Sequence, residues 1–216
     1  MSSLIFYTDE NQVLVSTDTL AVDQLGRASF FCSKATHIPH LRTIVAGTGV
    51  GGFSNEWALH ASTRMVIKGI CNLDYHTPSG LRKLWKDYRK KYSLPESLTT
   101  TVYQFGISEE SGMVVTFAYR SKNEFVSESI SFGTGVKPGC DVIDGDLIKA
   151  IPKMMRQQRE IQESLPVNER VYIGGEIIAH HLTSNGCNSF KIGEFDDFTL
   201  QQAQIFANYA AEKANM

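Results

Sequence analysis

The order of the strand-prone and helix-prone segments is the feature that most constrains the fold of this chain. Strands come first, followed by two helices, more strands, one long helix, a hairpin and a closing helix. A parallel sheet built from βαβ units needs strict alternation of strand and helix, and this order lacks it. The order therefore predicts an α+β fold in which two packed, mainly antiparallel sheets carry helices on both outer faces. We expect residues 1–216 to form a single domain.

Short β-prone runs and helical periodicity set the bounds of the expected elements. The predicted strands are Leu4–Tyr7, Val13–Thr17, Phe30–Cys32, Leu41–Ala46, Thr100–Ile107, Val114–Tyr119, Ser127–Phe132, Val171–Leu182 and Phe190–Phe195. The predicted helices are Asn55–Lys68, Leu81–Tyr92, Gly145–Leu165 and Thr199–Ala214. Turn-forming residues at 9–12 and 184–186 indicate hairpins at both places.

Composition and charge argue against several classes of function. The formal net charge of −2 gives no electrostatic footprint for nucleic acid or for an anionic membrane. No apolar run approaches the roughly 20 residues that a membrane span needs, and the N-terminus lacks a signal-peptide pattern. The four cysteines are scattered without CxxC spacing, as expected of reduced thiols in a cytoplasmic protein. We expect no metal and no cofactor, because the histidines and cysteines are not clustered as ligands.

Ser2, Asp18 and Lys34 form the main candidate catalytic set. Removal of Met1 would make Ser2 the first residue, with Asp18 sixteen and Lys34 thirty-two residues further on. Ser2 would then carry both a hydroxyl nucleophile and a free α-amine, whose pKa near ~8 suits it to take the hydroxyl proton. A nearby lysine would lower the pKa of the hydroxyl and of the amine, and an aspartate would hold that lysine charged and oriented.

The spacing of these three residues resembles that in the proteasome β-subunit and its bacterial relative HslV, which are N-terminal-nucleophile hydrolases. Those enzymes also open with a short apolar strand, as residues 2–7 do here. The resemblance implies a four-layer αββα sandwich and hydrolysis of peptide or amide bonds within a homo-oligomer. It does not identify an ATPase partner. One departure is the serine nucleophile, which lacks the methyl group that stiffens the threonine rotamer.

The same resemblance implies roles for further positions. Gly47, after Val45-Ala46, would place its N–H in an oxyanion hole, and Thr134 within Phe132–Gly135 would supply a supporting hydroxyl. Asp141 and Asp144 are both candidates for the second active-site aspartate of the family.

Three alternative functions remain open at this point. The chain could be a catalytically inactive proteasome-like scaffold or binding subunit, or an amidase or acylase that acts on small molecules. It could also bind a dinucleotide, because residues Gly47–Gly52 satisfy G-x-G-x-x-G after a strand, with Asp74 about twenty residues beyond.

Overall fold

The computed structural model describes residues 2–23 and 25–214, and in these ranges it contains twelve β-strands and four α-helices. The strands are β1 (Leu4–Thr8), β2 (Gln12–Asp18), β3 (Leu20–Val22), β4 (Ala28–Phe31), β5 (Ala35–Ile38), β6 (Thr43–Gly49), β7 (Thr100–Ile107), β8 (Val114–Arg120), β9 (Ser127–Ser129), β10 (Gly133–Lys137), β11 (Glu176–Thr183) and β12 (Gly186–Glu194). The helices are α1 (Phe53–Arg64), α2 (Ile70–Lys91), α3 (Leu147–Glu163) and α4 (Phe198–Ala214).

The strands form two large sheets and one small hairpin, and all their pairings are antiparallel. The first sheet has the order β10-β1-β2-β11-β12, and the second has the order β5-β6-β7-β8-β9. β3 and β4 pair only with each other within the described residues. The predicted α+β class with mainly antiparallel sheets is therefore confirmed.

Both faces of β1 are buried, which explains why its sequence is continuously apolar rather than alternating. Leu4 and Phe6 belong to a core cluster that includes residues of the second sheet, such as Phe105. Ile5 points to the opposite face of the strand and joins a cluster that contains Met154 of α3. A half-exposed antiparallel strand would instead alternate apolar and polar residues.

The helices pack against the sheets and the small hairpin through separate clusters. α1 and α2 bury Trp57 and Leu81 against Val102 of the second sheet. α3 buries Ile151 and Met154 against the first sheet. α4 contacts the small hairpin, where the rings of Phe31 and Phe198 lie 5.2 Å apart.

Several predicted bounds are wrong for identifiable reasons. α2 begins at Ile70 rather than Leu81, because the helix continues through Pro78, which a sequence pattern takes as a boundary. The short strands β3, β5 and β10 were not predicted, since three to five residues give little periodicity. β11 begins at Glu176 rather than Val171, because Gly174 and Gly175 interrupt the strand that the apolar run suggested.

The described residues provide neither a membrane span nor an evident metal site. Among the helices described, none combines the length and the apolar character needed to cross a bilayer. Over the same residues, no group of three or more His, Cys, Asp or Glu side chains could hold a metal ion.

Replacing Phe105 tests the cluster between the two sheets. Phe105 is fully buried and its ring lies 4.9 Å from that of Phe6, so Phe105→Ala should lower the free energy of unfolding by about 3–5 kcal/mol. Phe206→Ala is the matched control, because Phe206 is 65% exposed and its loss should change that free energy by less than about 0.5 kcal/mol. Urea denaturation followed by circular dichroism measures both. Equal losses would contradict a packed core between the sheets.

Candidate active site

The antiparallel pairing of β1 with β2 brings the start of one strand to the end of the other. Leu4 lies opposite Thr17, so the register places Ser3 beside Asp18. The backbone N–H of Ser3 donates to Asp18 Oδ1 at 2.9 Å. The hairpin alone therefore brings the first residues of the chain to the Asp18 carboxylate.

Asp18 is the centre of a buried polar network. Lys34 Nζ donates to Asp18 Oδ1 at 2.9 Å and to Oδ2 at 2.8 Å. The backbone N–H of Gly174 donates to Asp18 Oδ2 at 3.1 Å. Asp18 is 0% exposed and Lys34 only 8%, so these contacts take the place of the water that both charges have lost.

Lys34 reaches Asp18 from the short connection between β4 and β5. The N–H of Cys32 donates to the carbonyl of Thr19 at 2.9 Å, which fixes this connection to the residue that follows Asp18. Burial raises the pKa of the Cys32 thiol, and the positive charge of Lys34 opposes that increase. The thiol is therefore neutral at ordinary pH.

Ser2 borders two pockets. The larger pocket, of about 620 Å³, is lined by Ser2, Lys34 and Gly47 among others. The smaller pocket, of about 200 Å³, joins Ser2 to the threonines at 99–101 and to Lys137. The structure therefore brings the four predicted site residues together. Ser2, Lys34 and Gly47 line one pocket, and Asp18 is joined to them through its contacts with Lys34.

Gly47 and the loop that follows it are tightly constrained. Gly47 lies on β6 opposite Val102, and a Cβ atom there would lie 2.6 Å from the Cβ of Ser54 on α1. Gly49 has φ +94°, and a Cβ atom on it would lie 2.2 Å from the carbonyl oxygen of Thr99. Glycine is therefore required at both positions by close packing.

The dinucleotide alternative does not fit this structure. β6 pairs antiparallel with both of its neighbours, whereas the fingerprint requires a parallel βαβ unit. Asp74 accepts hydrogen bonds from Tyr119 Oη at 2.6 Å and from Ser127 Oγ at 2.5 Å. It is therefore committed to packing α2 against β8 and β9, and it is not among the described residues that line the pocket at the glycine loop.

Thr134 and the two candidate aspartates, Asp141 and Asp144, are not among the described residues that line the two pockets beside Ser2. Thr134 lies on β10 opposite Tyr7, while the register Leu4–Lys137 places Lys137-Pro138 at the start of β1, nearest Ser2. Asp141 accepts from Gln157 Nε2 at 2.9 Å on an exposed face.

Gln158 of α3 takes part in the site although sequence analysis did not select it. Its side chain is 0% exposed, accepts a hydrogen bond from Ser3 Oγ and donates one to the carbonyl of Pro138. It thus ties the start of β1 to the segment after β10. The signal was present in the sequence, because Gln158 follows Ile151 and Met154 on the buried face of α3 at helical spacing.

Comparison with known proteins gives a fold but no sequence family. No protein-family model matches the chain, and no curated protein does so in sequence. Among solved structures, the chain is similar to Anbu (ancestral beta-subunit) from Yersinia bercovieri, with a TM-score of 0.61 and 9% sequence identity. The alignment covers 100% of this chain and 97% of that one. The chain therefore has a proteasome-like fold, as the resemblance in its sequence predicted, and at this identity the likeness concerns the fold alone.

A double-mutant cycle tests the buried ion pair. Lys34→Met leaves the Asp18 carboxylate buried without its charged partner, and we expect a loss of about 3–5 kcal/mol in the free energy of unfolding. The double variant Asp18→Asn with Lys34→Met should be far less unstable than the sum of the two single variants, because no unpaired charge remains. Urea denaturation of the four proteins measures the coupling.

The exposed pair Arg27–Asp23 provides the control for this cycle. Its two side chains are 66% and 32% exposed, so the corresponding cycle should show little coupling. Additive losses at Asp18 and Lys34 would mean that the two side chains do not form a pair in solution.

Proposed function

We propose that the chain is an N-terminal-nucleophile hydrolase of amide bonds, with peptides as its substrates and Ser2 as its nucleophile once Met1 is removed. The observation that carries the proposal is the buried Lys34–Asp18 pair, whose lysine lines the same pocket as Ser2 and Gly47. The proteasome-like fold supports it. So does the position of the pair, because Asp18 accepts a hydrogen bond from the backbone N–H of Ser3, the residue after the proposed nucleophile.

The first half of the proposed reaction forms an ester. The hydroxyl oxygen of Ser2 attacks the carbonyl carbon of the substrate, and the α-amine of Ser2 takes the hydroxyl proton. The N–H of Gly47 stabilises the oxyanion of the tetrahedral intermediate. The C–N bond then breaks, and the protonated amine returns its proton to the leaving nitrogen.

The second half releases the acid. Water attacks the ester carbonyl, and the α-amine again takes a proton. The C–O bond to Ser2 then breaks, and the amine returns this proton to the Ser2 oxygen. Lys34 has three N–H donors, of which two contact Asp18, so the third is left to act on the hydroxyl side. Its positive charge favours the alkoxide and the neutral amine, and Asp18 keeps it oriented.

We also propose the finer points of architecture that the family resemblance implies. These are a single domain over residues 1–216, a four-layer αββα arrangement and a homo-oligomer. The three core clusters support the layering, because one includes both sheets and the others join a sheet to helices. The similar solved structure is described as a subunit, which supports an assembly of several copies.

Labelling of the untagged protein tests the nucleophile. The intact mass should lack Met1, because an initiator methionine before a serine is readily removed, and a peptide β-lactone should then acylate Ser2. Ser2→Ala should abolish the labelling. Intact mass and peptide mapping measure both outcomes.

Ser29→Ala is the control for labelling, since Ser29 is an exposed serine on β4 outside the pocket. It should be labelled at Ser2 to the same extent as the parent. A native mass that retains Met1, together with labelling that Ser2→Ala leaves unchanged, would favour the inactive scaffold. Gly47 is less suitable for mutation, because any side chain there would disturb Ser54 and the fold along with turnover.

Non-additivity tests whether Ser2 and the ion pair act together. Ser2→Ala should lower hydrolysis of a fluorogenic peptide amide about a thousandfold or more, and Asp18→Asn with Lys34→Met should do the same. The triple variant should be scarcely slower than either, because each change already removes the covalent route. Thermal denaturation checks that the variants are folded. Multiplicative losses would show that the three residues do not cooperate.

A further inference from the structure

The pocket of about 620 Å³ beside Ser2 is built from three parts of the chain. The β3–β4 hairpin provides one wall, which includes Phe30. The glycine loop at 47–52 provides a second, and the end of α2 with the residues that follow provides the third, which includes Tyr92. Its volume lies in the range of sites that bind small ligands or side chains.

The charge pattern of this pocket favours an uncharged ligand group. Lys34 has the one charged side chain among the described lining residues, and Asp18 already accepts two of its three N–H donors. Burial raises the pKa of both the Cys32 thiol and the Tyr88 hydroxyl, so neither contributes a negative charge near neutral pH. A charged substrate side chain would therefore lose water here without gaining a partner.

Two large aromatic side chains of the pocket are left uncovered. Phe30 is 54% exposed, whereas its neighbour Phe31 packs on Phe198 on the other face of β4. Tyr92 is 48% exposed, and its ring lies 4.6 Å from that of Tyr88. Covering Phe30 and Tyr92 with an apolar group would remove substantial apolar surface from water.

The position of Tyr92 is connected to the reacting end of the pocket. Tyr88 Oη donates to the carbonyl of Gly51 at 2.8 Å, which fixes the end of α2 to the glycine loop. Gly47 lies on β6, which leads directly into that loop, so a group held against Tyr92 would be positioned relative to Gly47. In the substrate, the attacked carbonyl belongs to the residue on the acyl side of the scissile amide. The side chain of that residue is the one nearest the attacked carbon.

We propose that Phe30 and Tyr92 are specificity-determining residues that bind a large apolar or aromatic side chain on the acyl side of the scissile amide. This inference rests on the proposed function, since it assigns the substrate class of the same site. The two residues act on binding and do not take part in proton transfer or in oxyanion stabilisation.

Hydrolysis of a matched substrate series tests the proposal. The probes are N-acyl-amino-acid amides of one fluorogenic amine, with Phe, Ala, Asp or Lys as the amino acid. The parent should hydrolyse the Phe amide at least tenfold better in kcat/KM than the other three. Phe30→Ala and Tyr92→Ala should each raise KM for the Phe amide about tenfold, with kcat little changed. Tyr75→Ala, at an 80% exposed tyrosine of α2 outside the pocket, should match the parent.

Binding without turnover separates this proposal from the proposed function. Calorimetry on the Ser2→Ala variant should detect the Phe amide, and adding Phe30→Ala or Tyr92→Ala should weaken that binding about tenfold. If these variants bind as expected but the parent does not hydrolyse the Phe amide, the roles of Phe30 and Tyr92 in binding are supported and the hydrolase proposal is refuted. A parent that prefers the Asp or Lys amide, or equal kinetics for Phe30→Ala, Tyr92→Ala and Tyr75→Ala, would overturn the specificity proposal and leave the hydrolase intact.

Discussion

The hydrogen-bonded Asp18 carboxylate is the interaction on which the rest of the site depends. It joins segments that are far apart in sequence, namely the start of β1 at Ser3, the β4–β5 connection at Lys34 and the turn before β11 at Gly174. Attraction between charges strengthens when water is excluded, but each buried charge then needs all of its partners. One carboxylate therefore fixes both the lysine and the backbone from which Ser2 extends.

The sequence predicted the class of the fold better than its details. Long runs such as β7 and β8 were located almost to the residue, because their β-branched and aromatic residues extend over seven or eight positions. The start of α2 was missed because Pro78 lies inside the helix, and a local pattern cannot tell a tolerated proline from a terminal one. β10 was missed because its glycine-rich sequence pairs with β1 across more than a hundred residues, a contact that no local window contains.

The candidate site was predictable where its residues keep fixed spacings from the N-terminus. The candidate residues Ser2, Asp18, Lys34 and Gly47 all lie within the first fifty residues. Short hairpins connect the strands that carry them, so residues at these fixed sequence spacings also lie close together in the fold. The position of Thr134 was not predictable, because the register of β10 decides which residue lies beside Ser2, and that register is not a local property. The burial of Gln158 follows from its spacing on α3, but its role depends on its partners, Ser3 and Pro138, which the sequence does not reveal.

The close approach of Gly47 to Ser54 joins two positions that sequence comparison would treat as independent. A Cβ atom at 47 would overlap the side chain at 54, and it would also lie 3.1 Å from the carbonyl oxygen of Thr101. Only glycine at position 54 would remove the first obstacle, because its nearest atom is the Cβ of Ser54. The second obstacle would remain, because it is a backbone atom of β7. Position 47 is therefore confined to glycine for as long as residue 54 keeps a side chain, and divergence should accumulate at the exposed positions of α1 instead.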